Sequence, residues 1–326
     1  MAETRGTVCV TGGTGFIASW LIKTLLDRGY TVRTTVRSGP EGRRDLSFLT
    51  KLPGAYRRLQ IFRADLDDPE SFDDAIFGCI GVFHVATPVD FENREPEQLV
   101  IKRSITGTLG ILKSCLKSKT VRRVVYTSSA SAVVFNSDGS EMMDENFWSD
   151  EDLIRKYDID GRCYFLSKTL TEKAAIQFAE RNGLHLVTLI PSFVVGPFIC
   201  PKIPGSVRNM LSLVLGNEEE YHYLLRASMV HVDDVARAHI FLLENQDVEG
   251  RYICSAATLT ISEIAEFLAA KYPRYRIPNV HSLAVKGLIL PALSSMKLLS
   301  HGFTFNYGID EMFDGAIESC RERGYL

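Results

Sequence analysis

Val8-Cys9-Val10-Thr11-Gly12-Gly13-Thr14-Gly15-Phe16-Ile17-Ala18 is the stretch on which the reading of this chain turns. Its short apolar opening reads as a buried strand, and an amphipathic helix is predicted directly after it over Phe16–Asp27. Between the two, the Gly12, Gly15, Ala18 spacing marks a turn whose backbone lies against a pyrophosphate at a helix N-terminus. Gly12 permits the tight turn, Gly15 lets phosphate approach the backbone N–H groups, and small Ala18 lets the helix pack near the strand. Glycine-rich strand-to-helix turns occur in many α/β proteins, so the assignment depends on what else the chain supplies.

Outward from the turn, short β-branched and aromatic runs alternate with helical periodicity. Strands are predicted at Thr31–Arg37, Leu59–Ala64, Ile80–Ala86 and Val124–Thr127, and helices at Ser71–Phe77 and Glu97–Ser118. Pro69 and Pro96 suit first-turn positions of those helices. Strand and helix repeating with short connections imply a doubly wound parallel α/β sheet, which binds ligands beyond the carboxyl ends of its strands. Candidate cofactor contacts by position are therefore Thr14, Phe16 and Ile17 in the turn, and Leu66, Val85, Ala86, Thr87, Thr127, Ser128 and Pro191 at strand ends. A polar excursion over 137–160 precedes a helix at Cys163–Glu180 and a strand at His185–Pro191. Beyond Pro191, prolines 197, 201 and 204 break the regularity, and only smaller units follow: Met229–Val232, Arg251–Cys254 and the helix Ile261–Lys271. Residues 1–190 read as a nucleotide-binding lobe, and most of 191–326 as a smaller α/β lobe completing a substrate pocket.

The end of the second strand decides between the two nicotinamide dinucleotides. An acidic residue there would accept from the ribose 2′-OH and repel a 2′-phosphate. This chain has Arg37, with Arg43 and Arg44 close behind, and a guanidinium fork suits phosphate. NADPH is the expected cofactor. Asp65, past the third strand, is placed to accept from the adenine amino group, or simply to cap the turn before Pro69.

Tyr164 and Lys168 stand four residues apart in a helix-forming stretch and so project from one face. No other tyrosine here has a lysine four residues on. A neighbouring ammonium is expected to lower the phenol from its usual pKa near 10, making it a usable acid and base. Ser129, after the fifth strand, is placed to polarise a carbonyl beside it. A surface helical pair and loop hydroxyls are the bland readings. Ser and then Tyr-x-x-x-Lys after a dinucleotide turn is harder to dismiss, and it describes hydride addition to a ketone with proton delivery from Tyr164.

Composition excludes several classes. The 326 residues are 45% hydrophobic, enough for a sizeable core, and the net charge of −3 gives no reason to expect nucleic acid or an anionic membrane. Seven cysteines lie without CxxC spacing, so neither a disulfide frame nor a metal site is indicated. The first six residues leave no room for a targeting leader, and the apolar run Leu186–Cys200 is broken by Pro191, Gly196 and Pro197. The expectation is a reduced, soluble, cytoplasmic protein. His231, before Asp233-Asp234, reads as a structural histidine at a strand end.

These motifs resemble the extended short-chain dehydrogenase/reductase family, and within it the plant reductases of flavonoid and phenylpropanoid metabolism. The resemblance spans essentially the whole chain: TGGTGFIASWL at the turn, FHVATP (83–88), TVRRVVYTSS (120–129), YFLSKTLTEKAA (164–175), VVGPF (194–198) and VHVDDVARAHI (230–240). It implies NADPH reduction of a C4 ketone on an isoflavanone or related phenolic. The family's catalytic Ser, Tyr and Lys fall on Ser129, Tyr164 and Lys168, and its 2′-phosphate contacts on Arg37 and Arg44. Val134 stands where the dihydroflavonol reductases carry a substrate-reading Asn, and 162–168 lacks the signature of the CoA-thioester reductases. Val89, Phe91, Phe165 and Phe193, with Val134 and Ser129, are the expected substrate contacts, apolar as pockets for aromatic ligands are. A nucleotide-sugar epimerase or dehydratase would use the same Tyr and Lys but usually NAD, against Arg37. A non-catalytic NADP sensor would need the glycine turn alone.

Overall fold

In the computed structural model, residues 5–37, 45–88, 95–156, 161–280 and 285–326 are described. The strands are β1 (Thr7–Val10), β2 (Thr31–Val36), β3 (Leu59–Arg63), β4 (Gly81–His84), β5 (Arg123–Thr127), β6 (Met142–Met143), β7 (Leu186–Pro191), β8 (Phe193–Val195), β9 (Arg226–His231), β10 (Gly250–Cys254), β11 (Ala257–Thr260) and β12 (Ala292–Leu293). The longer helices are α1 (Phe16–Asp27), α2 (Glu97–Ser118), α3 (Arg162–Asn182), α4 (Val232–Glu244), α5 (Ile261–Lys271) and α6 (Ile309–Glu322).

Seven strands form one parallel sheet in the order β10-β7-β5-β4-β1-β2-β3. The chain winds outward from β1 through β2 to β3, then restarts at β4 and winds the other way. The strand order therefore reverses between β1 and β4, where a doubly wound sheet opens its crevice. All seven carboxyl ends point to the same rim. The turn after β1, Arg37 after β2, residues 85–88 after β4 and residues 128–129 after β5 are thereby gathered at that rim.

Local sequence explains the main helices. Helix α1 buries Ala18, Leu21, Ile22 and Leu25, the 3.6-residue stripe, against β1 and α4. Helix α3 runs between Gly161 and Gly183, both at positive φ, and α5 starts with a Thr260/Glu263 capping box. The helix expected over Ser71–Phe77 is instead a 3-10 turn, Pro69–Phe72, followed by the short helix Asp73–Ile76. Proline opens this segment at its first residue and leaves the first turn tight.

The chain beyond residue 190 also contributes to the large sheet and its core. Strand β10 pairs with β7 in the large sheet, and α4 packs into the same core as α1, so both return to the nucleotide lobe from beyond residue 190. The smaller lobe is built on the three-stranded sheet β11-β9-β8 with its own apolar core around Met210, Leu224, Ile264 and Phe313. A two-residue parallel ladder, β6 with β12, ties the 137–150 excursion to the chain near residue 293.

Three buried histidines hold the interior neutral. Burial lowers His84 from 6.5 to about 3, and His231 and His239 to about 4. Each stays unprotonated when folded but takes a proton near pH 6.5 when unfolded, so the stability they confer is complete above that value and lost as pH falls toward 4. Urea titrations between pH 6.5 and 4 should show unfolding free energy falling with a slope approaching three protons. A flat profile across that window would contradict the burial of these rings.

Candidate active site

The glycine turn is braced from both sides. The Gly12 and Gly13 N–H groups donate to Thr35, to its hydroxyl at 3.2 Å and its carbonyl at 2.9 Å. Gly12 has φ +74, and a Cβ there would lie 3.0 Å from the Ala86 backbone. Thr11, fully buried, accepts from the N–H groups of Val85 and Ala86 at 3.1 and 3.0 Å. With both lone pairs so used, its hydroxyl donates to His84 Nδ1 at 3.0 Å, and His84 Nε2–H then donates to Thr108 at 2.9 Å. This chain of bonds locks the β1 turn to the β4 loop across the crevice.

Gly15 is different. Its φ of −77° suits any residue, it is exposed, and the nearest atom to a Cβ there would be the Gly12 carbonyl oxygen at 3.3 Å. The fold does not need a glycine at this position; a ligand approaching from outside would. Helix α1 behind it has no side-chain cap and no acidic residue in its first turn, so its N–H groups and dipole are offered to an anion. The turn therefore fits a pyrophosphate. Arg37 is exposed beyond the end of β2, as a 2′-phosphate contact requires, while Arg43, Arg44, Val89 and Phe91 lie outside the described residues. Asp65 serves its own turn, accepting from Asp67 N–H at 3.1 Å, and Leu66 is buried beneath it.

Helix α3 carries Tyr164 and Lys168 to the same rim. The Tyr164 hydroxyl hydrogen-bonds the Ser129 side chain, and Ser129 caps a short 3-10 turn by accepting from Ser131 N–H at 3.2 Å. Lys168 Nζ donates to the Thr87 hydroxyl at 2.8 Å and the Thr127 carbonyl at 2.9 Å, and sits 5.5 Å over the Tyr126 ring. An ammonium has three N–H groups. One therefore remains uncommitted among the described hydrogen bonds.

The electrostatics differ from the sequence expectation. Burial pushes the Tyr164 phenol up, partly offset by the Ser129 hydrogen bond, and Lys168 is not among the groups that move it. Lys168 is itself brought down to about 7 by burial, against the support of Glu172, and its ammonium is directed at Thr87 and Thr127. Of the chain's own groups, then, Ser129 rather than Lys168 favours the Tyr164 phenolate. At neutral pH Tyr164 holds its proton.

Thr127 and Ser128 turn their hydroxyls away from the crevice. Thr127 donates to His239 Nε2 at 2.7 Å, and Ser128 to the Glu172 carboxylate at 2.6 Å, both in the core. Pro191 is buried at the end of β7. Phe16 is half-buried and meets Phe198 edge-on at 6.5 Å. Of the expected substrate contacts, Phe165 packs on Phe135 at 4.8 Å, Phe193 meets Tyr223 edge-on at 6.2 Å, and Val134 is buried in an apolar cluster with Phe135 and Leu166. His231 caps α4 by accepting from Asp233 N–H at 3.1 Å and stacks on Tyr307 at 4.1 Å, the structural role expected of it. Thr11, Thr35, His84 and the buried Glu172–Arg251 pair were not singled out by the sequence, because their partners lie far along the chain.

Fold and site together define a dinucleotide-dependent oxidoreductase of the Rossmann type. The profile of the NAD dependent epimerase/dehydratase family matches residues 8–254, and the chain belongs to that family. It is 54% identical to vestitone reductase of Medicago sativa over 327 residues, covering all of both chains. It is 48% identical to dihydroflavonol 4-reductase of Arabidopsis thaliana over 326 residues, all of this chain and 85% of that one. The crystal structure of vestitone reductase from alfalfa superposes with a TM-score of 0.90 at 52% identity, covering 99% of this chain and 100% of that one. No helix among the described residues is long and apolar enough to cross a membrane.

Proposed function

We propose that this chain is a cytoplasmic NADPH-dependent ketoreductase acting on a flavonoid-type phenolic, with the C4 ketone of an isoflavanone as its preferred substrate. The observation that carries the chemistry is the hydrogen bond between Tyr164 and Ser129 beside Lys168 at the rim of the glycine turn. Full-length identity of 54% to vestitone reductase carries the substrate class.

NADPH, when bound, supplies the hydride that adds to the carbonyl carbon. The chain supplies position and a proton. Because their hydroxyls are hydrogen-bonded to each other, Ser129 and Tyr164 are within reach of one carbonyl oxygen. Ser129 donates a hydrogen bond to that oxygen as negative charge develops, and Tyr164 transfers its proton to it, giving the alcohol. Lys168, pinned by Thr87 and Thr127, would offer its remaining N–H to the nicotinamide ribose, while Ser129 supports the phenolate left on Tyr164. Arg37 and Arg44 would hold the 2′-phosphate.

Cofactor consumption across a panel of isoflavanones, dihydroflavonols, anthocyanidins and alkaloid hemiacetals, with NADH as control, tests this directly. The expected result is oxidation of NADPH in strong preference to NADH, fastest with an isoflavanone. Activity on none of the panel would remove the substrate assignment. A purified protein carrying tightly held NAD with no net consumption would reverse the choice in favour of an epimerase.

A further inference from the structure

Helix α3 carries a further buried ionisable side chain one turn beyond Lys168. Glu172 is wholly buried, and donors converge on its carboxylate: Ser128 Oγ at 2.6 Å, Arg251 Nε at 2.9 Å and Arg251 Nη2 at 3.5 Å. Arg251, on β10, is buried in turn. Its Nη1 donates to the carbonyls of Glu145 and Phe147, each at 2.7 Å, and its guanidinium lies 3.6 Å over the Trp148 ring. Four parts of the molecule meet at this pair: α3, β10, the loop after β5 and the 144–150 segment. Buried ion pairs in general contribute little net stability relative to an apolar pair of similar volume. The charge therefore asks for a use, and its neighbours supply one: Ser128 adjoins Ser129, and Lys168 is four residues back on the same helix.

We propose that Glu172, held by Arg251, is a positioning residue of the reductase site, fixing the Ser128–Ser129 loop by its hydrogen bond and supporting the Lys168 ammonium by its charge. This rests on the reading of Ser129, Tyr164 and Lys168 given above. The groups around Lys168 leave Glu172 as its counter-charge. From β4 comes His84, kept neutral by burial, and from β5 Tyr126, whose phenol is pushed well up. From α3 itself comes Tyr164, and from the loop after β4 the neutral Thr87 hydroxyl. Arg251, the other cation, is committed to the Glu172 carboxylate at 2.9 Å and to the carbonyls of Glu145 and Phe147.

The test reads the amine itself as well as turnover. In full-length protein with ¹³C at the lysine Cε, the Lys168 signal is assigned by its loss in Lys168→Arg and titrated in the wild type, Glu172→Gln, Glu172→Asp and Ser128→Ala. Glu172→Gln should lower the titration midpoint by roughly one pH unit and cut kcat at least about tenfold above neutral pH, with NADPH Kd within about threefold. Glu172→Asp should keep the wild-type midpoint. Ser128→Ala should also keep it while lowering kcat about threefold or more, since it loosens the loop without removing charge. A folded Glu172→Gln with the wild-type midpoint and kcat within about twofold would overturn the proposal. Should that variant not fold, wild-type kcat in Ser128→Ala together with a shifted midpoint in Glu172→Asp would overturn it instead. A midpoint shift in Glu172→Gln, when the wild-type protein reduces no ketone, would support the charge coupling and strike the functional reading alone.

Discussion

Replacing Tyr164 with phenylalanine is expected to lower kcat by about 10²- to 10⁴-fold and to leave the NADPH Kd within about twofold, the range attributed to a positioned proton donor. The substitution keeps the ring, and with it the edge-on contact to Phe165 at 6.0 Å, and removes only the hydroxyl that bonds Ser129. Burial holds this phenol above its ordinary value of 10, so the acid form is the resident one at neutral pH. Ketone reduction consumes that proton. Activity should therefore fall as pH rises, first where Lys168, brought down to about 7, loses its charge. Steady-state kinetics and NADPH titration of the variant check both halves. Unchanged turnover would eliminate Tyr164 as the donor, and lost NADPH affinity would make it a cofactor ligand first.

Gly15→Val should leave the fold intact and weaken NADPH binding by about tenfold or more. At φ −77° valine meets no backbone penalty, and the nearest obstruction is the Gly12 carbonyl at 3.3 Å, which a small shift relieves. The branched side chain would instead stand over the uncapped start of α1, where phosphate must approach the N–H groups. Gly12→Ala is the contrasting case. At φ +74, with Ala86 backbone 3.0 Å away, it should cost stability as well as affinity. Thermal melting with NADPH titration separates the two. Unchanged affinity in Gly15→Val would take the pyrophosphate away from this turn.

What the sequence revealed was what short-range patterns encode. The limits of Phe16–Asp27, Glu97–Ser118 and Ile261–Lys271 fall where periodicity and end signals place them, because those signals lie within one segment. The shared face of Tyr164 and Lys168 is likewise a property of four-residue spacing. The direction of the Tyr164 shift was not legible, since it depends on burial by residues brought together only in the fold. Glu172 and Arg251 are 79 residues apart and gave no local sign of pairing, and Thr127 meets His239 across 112 residues. The return of β10 to the large sheet was hidden for the same reason: Arg251–Cys254 reads as a strand, but its partner β7 lies some sixty residues back.

The central claim is that the phenol of Tyr164 and the carbonyl acceptor meet over a nicotinamide held by the glycine turn. The most direct measurement is mass analysis of the alcohol formed from an isoflavanone with NADPH deuterated at C4 of the nicotinamide, on the face the enzyme uses. The account predicts one deuterium on the carbinol carbon, with product formation collapsing in Tyr164→Phe. Product lacking the label, or formed as fast by that variant, would contradict it.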